Sequence, residues 1–204
     1  MRDEGGSWVL WRPFGLWVAL QILVLMGLAD GEERFRAGMK DVTLAAGYSI
    51  SHNLLNTGNP EKVEGVHLLP HFGYVLTDEH GSGWMRGNFE LLVEPVLIHL
   101  EDGDSATVAG WSTLGRWVFT GWSVARPYFE VGLGVVGGQV NLPETNCDVN
   151  FVIQGGPGVL FFVSRTTAVM GGYRIHHVSN SALCSKNRGL NSSLFIVGLS
   201  QFFP

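Results

Sequence analysis

A histidine and a serine two residues apart are the part of this sequence best suited to chemistry. Residues 173–180 read YRIHHVSN and contain His177 and Ser179. In a β-strand, residues i and i+2 project from the same face, so these two side chains are expected to be neighbours. A serine hydroxyl beside an imidazole is the minimum for an activated nucleophile. The pair is therefore the first candidate for a catalytic centre.

Strands, rather than helices, must position this pair. Beyond residue 40 no convincing amphipathic helix appears, and segments rich in Val, Phe, Tyr and Leu recur between turn clusters. We assign eight of them: 42–51, 66–77, 84–99, 105–119, 127–140, 149–164, 166–179 and 190–203. Several reach the roughly 9–11 residues that a tilted membrane strand needs. The pattern predicts an all-β, eight-stranded antiparallel transmembrane β-barrel over residues 30–204, with a soluble sandwich or lipocalin-like barrel as the alternative.

The N-terminus and the composition both indicate an exported protein. Residues 14–29 are almost all apolar, and these 16 residues are typical of a signal-peptide core. A membrane-spanning helix needs about 20 residues. We therefore assign residues 1–29 as a signal peptide, with an uncleaved membrane anchor as the alternative. Charged residues make up 15% of the chain and its net charge is −5, so it offers no basic surface for nucleic acid.

Alternation along the seventh segment predicts which face of a barrel the pair occupies. Odd positions there carry apolar side chains such as Ile175, and even positions carry polar ones such as Arg174. In a membrane barrel the apolar set faces lipid and the polar set faces the lumen. His177 and Ser179 then lie at the outer end of the lipid-facing side, and Asn191 in the last segment shares that face. The arrangement points to a membrane lipid as substrate, unless these are ordinary polar residues at the membrane–water boundary.

Threading the chain with a periplasmic N-terminus also places the two cysteines. Connections after odd-numbered segments then face outside, and those after even-numbered segments face the periplasm, where they should be short. Cys147 follows the fifth segment and Cys184 follows the seventh, so both belong to extracellular loops. Either a disulfide joins these two loops or the cysteines are two unrelated free thiols.

Common catalytic and cofactor motifs are missing from the sequence. It contains no G-x-S-x-G, H-E-x-x-H, C-x-x-C or P-loop pattern. One G-x-G-x-x-G runs from Gly132 to Gly137, but it lies inside a predicted strand without the helix that would hold a pyrophosphate. We interpret it as glycines that ease curvature and close packing in a barrel wall. The sequence thus predicts no cofactor and no metal.

A longer pattern around the pair resembles a known family. His177-x-Ser179-Asn180, followed by Asn187-x-Gly189, is similar to the lipid A 3-O-deacylase (PagL-type) family. The resemblance is specific over about residues 171–203 and looser over 42–164. Family members are eight-stranded outer-membrane barrels that hydrolyse the acyl chain ester-linked at the 3 position of lipid A. The resemblance implies a bacterial outer-membrane location and lipid A, or lipopolysaccharide, as the partner; a homodimer is left open.

The resemblance also implies roles for individual residues. By position, Ser179 would be the nucleophile and His177 its general base. Asn180 and Asn187, with nearby backbone amides, are candidates for stabilising the oxyanion, and Gly189 supports the site.

One position departs from the family pattern, and it keeps two hypotheses open. The family has a Glu where this chain has Asn191. A carboxylate orients the histidine and stabilises imidazolium by its charge, whereas an Asn can orient the ring but supplies no charge. The first hypothesis is a serine esterase that removes a 3-hydroxyacyl chain from lipid A, favoured by His177 and Ser179 on one face. The second, favoured by Asn191, is a non-catalytic barrel with a structural or adhesion role.

Overall fold

The computed structural model describes residues 35–53, 62–102, 104–138 and 145–204. The predicted signal peptide, residues 1–29, lies outside these ranges. Within them, nearly all regular structure is antiparallel strand, and a single 3-10 turn spans Gly83–Met85. None of the described helical structure is long and apolar enough to cross a membrane.

The strands form one closed antiparallel sheet. They are β1 (Lys40–Ser51), β2 (Glu64–Leu68), β3 (His71–Val75), β4 (Gly87–Asp102), β5 (Asp104–Phe119), β6 (Ala125–Gly137), β7 (Val149–Phe162), β8 (Thr167–Ser179) and β9 (Leu190–Phe203). Each strand from β3 to β9 pairs with the next, and β1 pairs with β9 along its whole length, which closes the sheet. Since β2 and β3 both lie between β1 and β4, they are two halves of one barrel strand. The predicted closed eight-stranded barrel is therefore confirmed.

The second barrel strand is interrupted where the sequence predicted one continuous segment. The break falls at Leu69 and Pro70, between β2 and β3. Proline has no N–H to donate to a ladder, so it interrupts strand pairing. The Leu69 N–H still donates to the Ala45 carbonyl at 2.8 Å, which keeps the two halves in line.

Paired charges fill the barrel interior. Arg174 donates to Glu94 through Nη1 at 2.7 Å and Nη2 at 2.9 Å, and to Glu130 through Nε at 2.6 Å. Arg116 donates to the other oxygen of Glu130 at 2.9 Å. All four side chains are buried, and buried charges persist only when such partners satisfy them. These ion pairs occupy part of the lumen, whereas the candidate site lies in the wall and the loops.

One connection differs from the prediction of short periplasmic turns. The links between β5 and β6 and between β7 and β8 are short, but 76–86, between β3 and β4, is longer. This segment packs at the end of the barrel that also holds Phe35. The Asn88 amide donates to the Thr77 carbonyl at 2.9 Å, and the Ala37 N–H donates to the Asp78 carboxylate at 3.1 Å. These two hydrogen bonds hold the start of the longer connection in place, and the expectation of a short turn was wrong there.

Candidate active site

His177 on β8 and Asn191 on β9 lie directly opposite each other, and their side chains are hydrogen-bonded. The distance from His177 Nδ1 to Asn191 Oδ1 is 2.6 Å. An amide oxygen can only accept, so Nδ1 carries the proton and donates it. The other ring nitrogen, Nε2, therefore keeps a lone pair that can accept a proton. Asn191 is fully buried, so it can fix both the tautomer and the orientation of the ring.

The alternation of β8 places Ser179 on the same side of the wall as His177. Both side chains are half-buried, whereas Arg174 and His176 are buried toward the lumen and Ile175 is exposed outward. In a strand, the Cα atoms of residues i and i+2, such as His177 and Ser179, are about 6.6 Å apart. Among the described residues, the His177 ring is bonded to Asn191 and not to the Ser179 hydroxyl. Catalytic hydrogen bonds are often long in ligand-free enzymes and tighten when substrate binds.

Gly189, in the loop that precedes β9, leaves room for the His177 ring. Its φ is +75°, a left-handed conformation that favours glycine. A Cβ at this position would lie 2.7 Å from Cε1 and 3.3 Å from Nε2 of His177. The absence of a side chain at residue 189 therefore lets the imidazole take up its position.

The chain reverses direction immediately after Ser179 and Asn180. Ser181 and Ala182 both adopt left-handed backbone conformations, with φ of 51° and 64°. Such conformations are costly for residues with a Cβ and cluster at functional sites. The Leu183 N–H donates to the Asn180 carbonyl at 3.0 Å and closes the turn. The sequence has no glycine at these positions, so its turn signals did not reveal this conformation.

The two asparagines proposed for the oxyanion have different surroundings. The Asn180 amide is buried, and its Nδ2 donates to Thr145 Oγ1 at 3.0 Å and to the Lys186 carbonyl at 2.6 Å. The Asn180 backbone N–H donates to Asn187 Oδ1 at 3.0 Å. Asn187 is exposed, and its Nδ2 makes no hydrogen bond within the described part of the chain. Asn187, rather than Asn180, therefore has a side-chain donor available to a ligand.

A second loop lies over the turn that follows β8. Residues 145–148, which lead into β7, approach the connection between β8 and β9, and a disulfide joins Cys147 to Cys184 with a Cα–Cα distance of 5.6 Å. Asn146 Oδ1 accepts a hydrogen bond from the Lys186 N–H at 3.1 Å. Sequence reasoning singled out the cysteines but missed Thr145 and Asn146, because irregular loops carry no periodicity to reveal their contacts.

The disulfide leads to a prediction about the protein in its membrane. We expect neither Cys147 nor Cys184 to react with a thiol reagent in protein taken from unreduced outer membranes. The bond closes a loop with a sequence separation of 37 residues. By the chain-entropy model, closing a loop of this size stabilises the fold by about 3–4 kcal/mol. The variant with both cysteines replaced by serine should therefore have a lower free energy of unfolding. Mass spectrometry after labelling measures the thiols, with chemically reduced protein as the control; two labelled cysteines in the unreduced sample would contradict the bond.

An open apolar groove on the lipid-facing wall ends at His177. It crosses β5 to β8, and Gly155 forms part of its floor. Its sides include Leu133, Ile153 and Ile175, which are exposed outward. Leu133, Ile153 and His177 are consecutive partners across the strands, so the groove leads directly to the imidazole. The described residues contain no group of three or more His, Cys, Asp or Glu side chains arranged to hold a metal ion.

Comparison with known proteins assigns the chain to a family. The lipid A 3-O-deacylase (PagL) family matches residues 62–200. The crystal structure of the outer membrane enzyme PagL superimposes with a TM-score of 0.56 at 19% identity, covering 78% of this chain and 97% of that one. The crystal structure of Neisserial surface protein A gives 0.57 at 15% identity, covering 81% and 99%. At these identities the structural likeness shows the fold alone, and no curated protein sequence matches the chain. Because the family match spans more than half of its residues, the chain belongs to the lipid A 3-O-deacylase (PagL) family and is a β-barrel of the bacterial outer membrane.

Proposed function

We propose that this protein is a serine esterase that removes an ester-linked 3-hydroxyacyl chain from lipid A at the outer leaflet. The observation that carries the proposal is the hydrogen bond between His177 and Asn191 on the lipid-facing wall, which leaves Nε2 as a base on the face that holds Ser179. Family membership and the apolar groove ending at His177 support it. These groups come from one chain, so the reaction does not require a homodimer.

The groove suits the acyl chain of such a lipid. Its apolar sides face the hydrocarbon of the membrane, so a fatty acyl chain can lie along the wall without leaving an apolar environment. With the chain in the groove, its ester carbonyl reaches the level of His177 and Ser179, while the sugar stays near the loops. Positioning of this kind supplies a large part of the rate enhancement in enzymes that act on bound substrates.

The reaction then proceeds by acyl transfer to the serine. Ser179 Oγ attacks the ester carbonyl carbon while His177 Nε2 takes the hydroxyl proton. The Asn187 Nδ2 donor and backbone amides of the turn stabilise the oxyanion. The tetrahedral intermediate collapses, and His177 returns the proton to the sugar oxygen as the carbon–oxygen bond breaks. Water, deprotonated by His177, hydrolyses the acyl-serine and releases a 3-hydroxy fatty acid.

A direct assay tests the proposed function. Purified, refolded protein is incubated with lipopolysaccharide in detergent, and the lipid A is analysed by mass spectrometry. We expect lipid A to lose the mass of one 3-hydroxyacyl chain and the free fatty acid to appear. The Ser179→Ala protein is the control for chemical hydrolysis. Lipid A left unchanged by a folded wild-type barrel would instead favour the non-catalytic scaffold that Asn191 suggests.

Substitutions of Asn191 test how strongly residue 191 assists His177 as the general base. Asn191→Asp places a carboxylate of nearly the same shape where Oδ1 now lies 2.6 Å from His177 Nδ1. The negative charge stabilises the imidazolium that forms as Ser179 attacks, so we expect kcat/KM to rise by on the order of tenfold or more. Asn191→Glu should leave activity intact or raise it, although this longer side chain enters a fully buried position. Asn191→Leu, which cannot orient the ring, should lower kcat; equal activity in all four proteins would exclude a role for residue 191.

A further inference from the structure

A buried chain of hydrogen bonds connects the loop before β7 to the turn after Ser179. Asn150 Nδ2 donates to the Cys147 carbonyl at 2.8 Å. The Thr145 hydroxyl donates to Asn150 Oδ1 at 2.8 Å and accepts from Asn180 Nδ2 at 3.0 Å. Thr145, Asn150 and Asn180 are all at most 2% exposed, so solvent does not readily replace a lost partner.

The chemistry of these groups sets the direction of every bond in the chain. Amide nitrogens donate and amide oxygens accept, so the hydroxyl of Thr145 must donate to Asn150 Oδ1 and accept from Asn180. Asn180, held in this way, directs its backbone N–H to Asn187 Oδ1 at 3.0 Å. This bond holds Asn187 Oδ1 toward the turn, so Nδ2 points to the opposite side of the amide group, away from the turn. Thr145 and Asn187 also form a backbone bridge, which ties the same two loops a second time.

We propose that Thr145 is a positioning residue for the reaction. Its hydroxyl, acting through Asn180, sets the orientation of Asn187 and so aims the Nδ2 donor at the developing oxyanion. This inference rests on the proposed function. Within the described residues, the Thr145 hydroxyl bonds to Asn150 and Asn180 and not to Ser179 or His177, so it acts through the asparagines.

The surroundings of Thr145 explain why its hydroxyl is needed. Together with Asn150 it borders a small internal cavity whose other walls are apolar and include Ile98, Val178 and Leu190. Without the hydroxyl, Asn150 Oδ1 loses its donor and Asn180 Nδ2 loses one of two acceptors. Both groups would then be underpaired beside apolar side chains, a costly arrangement that favours movement of the turn. Stabilisation of an oxyanion depends on a fixed donor, so a displacement of the donor by about 1 Å lowers the rate substantially.

The test compares Thr145→Val with two other variants of the full-length protein. Val has the shape of Thr without the hydroxyl, and Thr145→Ser restores the hydroxyl. Thr120→Val is the matched control, because Thr120 is also a buried threonine that donates to a carbonyl, at the other end of the barrel. We expect Thr145→Val to lower kcat on lipopolysaccharide at least about tenfold with KM within about twofold. Thr145→Ser should recover most of the loss, and Thr120→Val should keep wild-type kinetics.

Hydrogen–deuterium exchange provides a readout that does not depend on activity. Thr145→Val should speed exchange in the peptide covering residues 180–188 while β8 stays protected, and Thr145→Ser should not. Unchanged exchange there, or an unchanged kcat in Thr145→Val, would overturn the proposal. If the wild type lacks deacylase activity, the proposed function fails, and the exchange experiment still decides whether Thr145 orders the turn. Heat-modifiable migration in electrophoresis confirms that each variant forms the barrel.

Discussion

Replacing Ser179 or His177 with alanine should reduce the release of 3-hydroxy fatty acid from lipopolysaccharide by at least about 10³-fold. The nucleophile and its base act in one step, so removal of either leaves the other without a function. For the same reason, the variant that lacks both Ser179 and His177 should have about the same residual activity as either single variant. Purified variants are assayed in detergent for free fatty acid by mass spectrometry, and full activity in Ser179→Ala would end the serine-esterase account.

Two residues of this chain serve as matched controls for these substitutions. Ser193→Ala removes another wall hydroxyl close to the site, one that bonds to the Tyr173 hydroxyl at 3.0 Å. His99→Ala removes another outward histidine, bonded to the Thr107 hydroxyl at 2.9 Å on strands β4 and β5. We expect both to retain activity within about threefold, because neither belongs to the proposed reaction. A loss in His99→Ala as large as that in His177→Ala would indicate general damage to the barrel wall.

Replacing Gly189 with alanine should lower kcat by on the order of 10²-fold. The new Cβ would lie 2.7 Å from His177 Cε1, closer than atoms tolerate, so the ring must move away from its bond with Asn191. The left-handed φ of +75° adds backbone strain to this contact. Initial rates on lipopolysaccharide at saturating substrate measure the effect.

Gly83→Ala separates the contact with His177 from the backbone strain. Gly83 also has a left-handed φ, +59°, but a Cβ there would meet nothing within 4 Å. It lies in the 3-10 turn between β3 and β4, away from the candidate site. Its variant should lose some stability and keep its activity. If both glycine variants lost activity equally, backbone strain rather than contact with the imidazole would explain the effect.

The faces of the strands could be predicted from the sequence because they follow from local alternation. A period of two assigns Ile175 to the lipid side and Arg174 to the lumen whatever the partner strand is, and both lie where they were predicted. The same rule placed His177 and Ser179 on one face. The glycines from Gly132 to Gly137 were also assigned correctly to a strand, β6, since they lacked a following helix.

Contacts between distant segments could not be read from alternation, because it encodes a face and not a register. The bond from His177 to Asn191 requires the two residues to be directly opposite, and a shift of β9 by two residues would preserve every face and break that bond. The long connection 76–86 was missed for a related reason. Its contacts are made with residues far away in the chain, such as the bond from Ala37 to Asp78.

The sequence by itself determined the barrel and the face of the wall that His177 and Ser179 share, and it singled out these two residues as candidates. These follow from strand periodicity and from one local motif. Only the tertiary structure decided the hydrogen bond that sets the tautomer of His177 and the hydrogen bonds that join Asn180 to Asn187 and to Thr145. They include bonds between separate strands and loops, as between Asn180 and Thr145, 35 residues apart. Such bonds form only after the closed sheet has set the register of its strands and brought the loops together, so no local pattern specifies them.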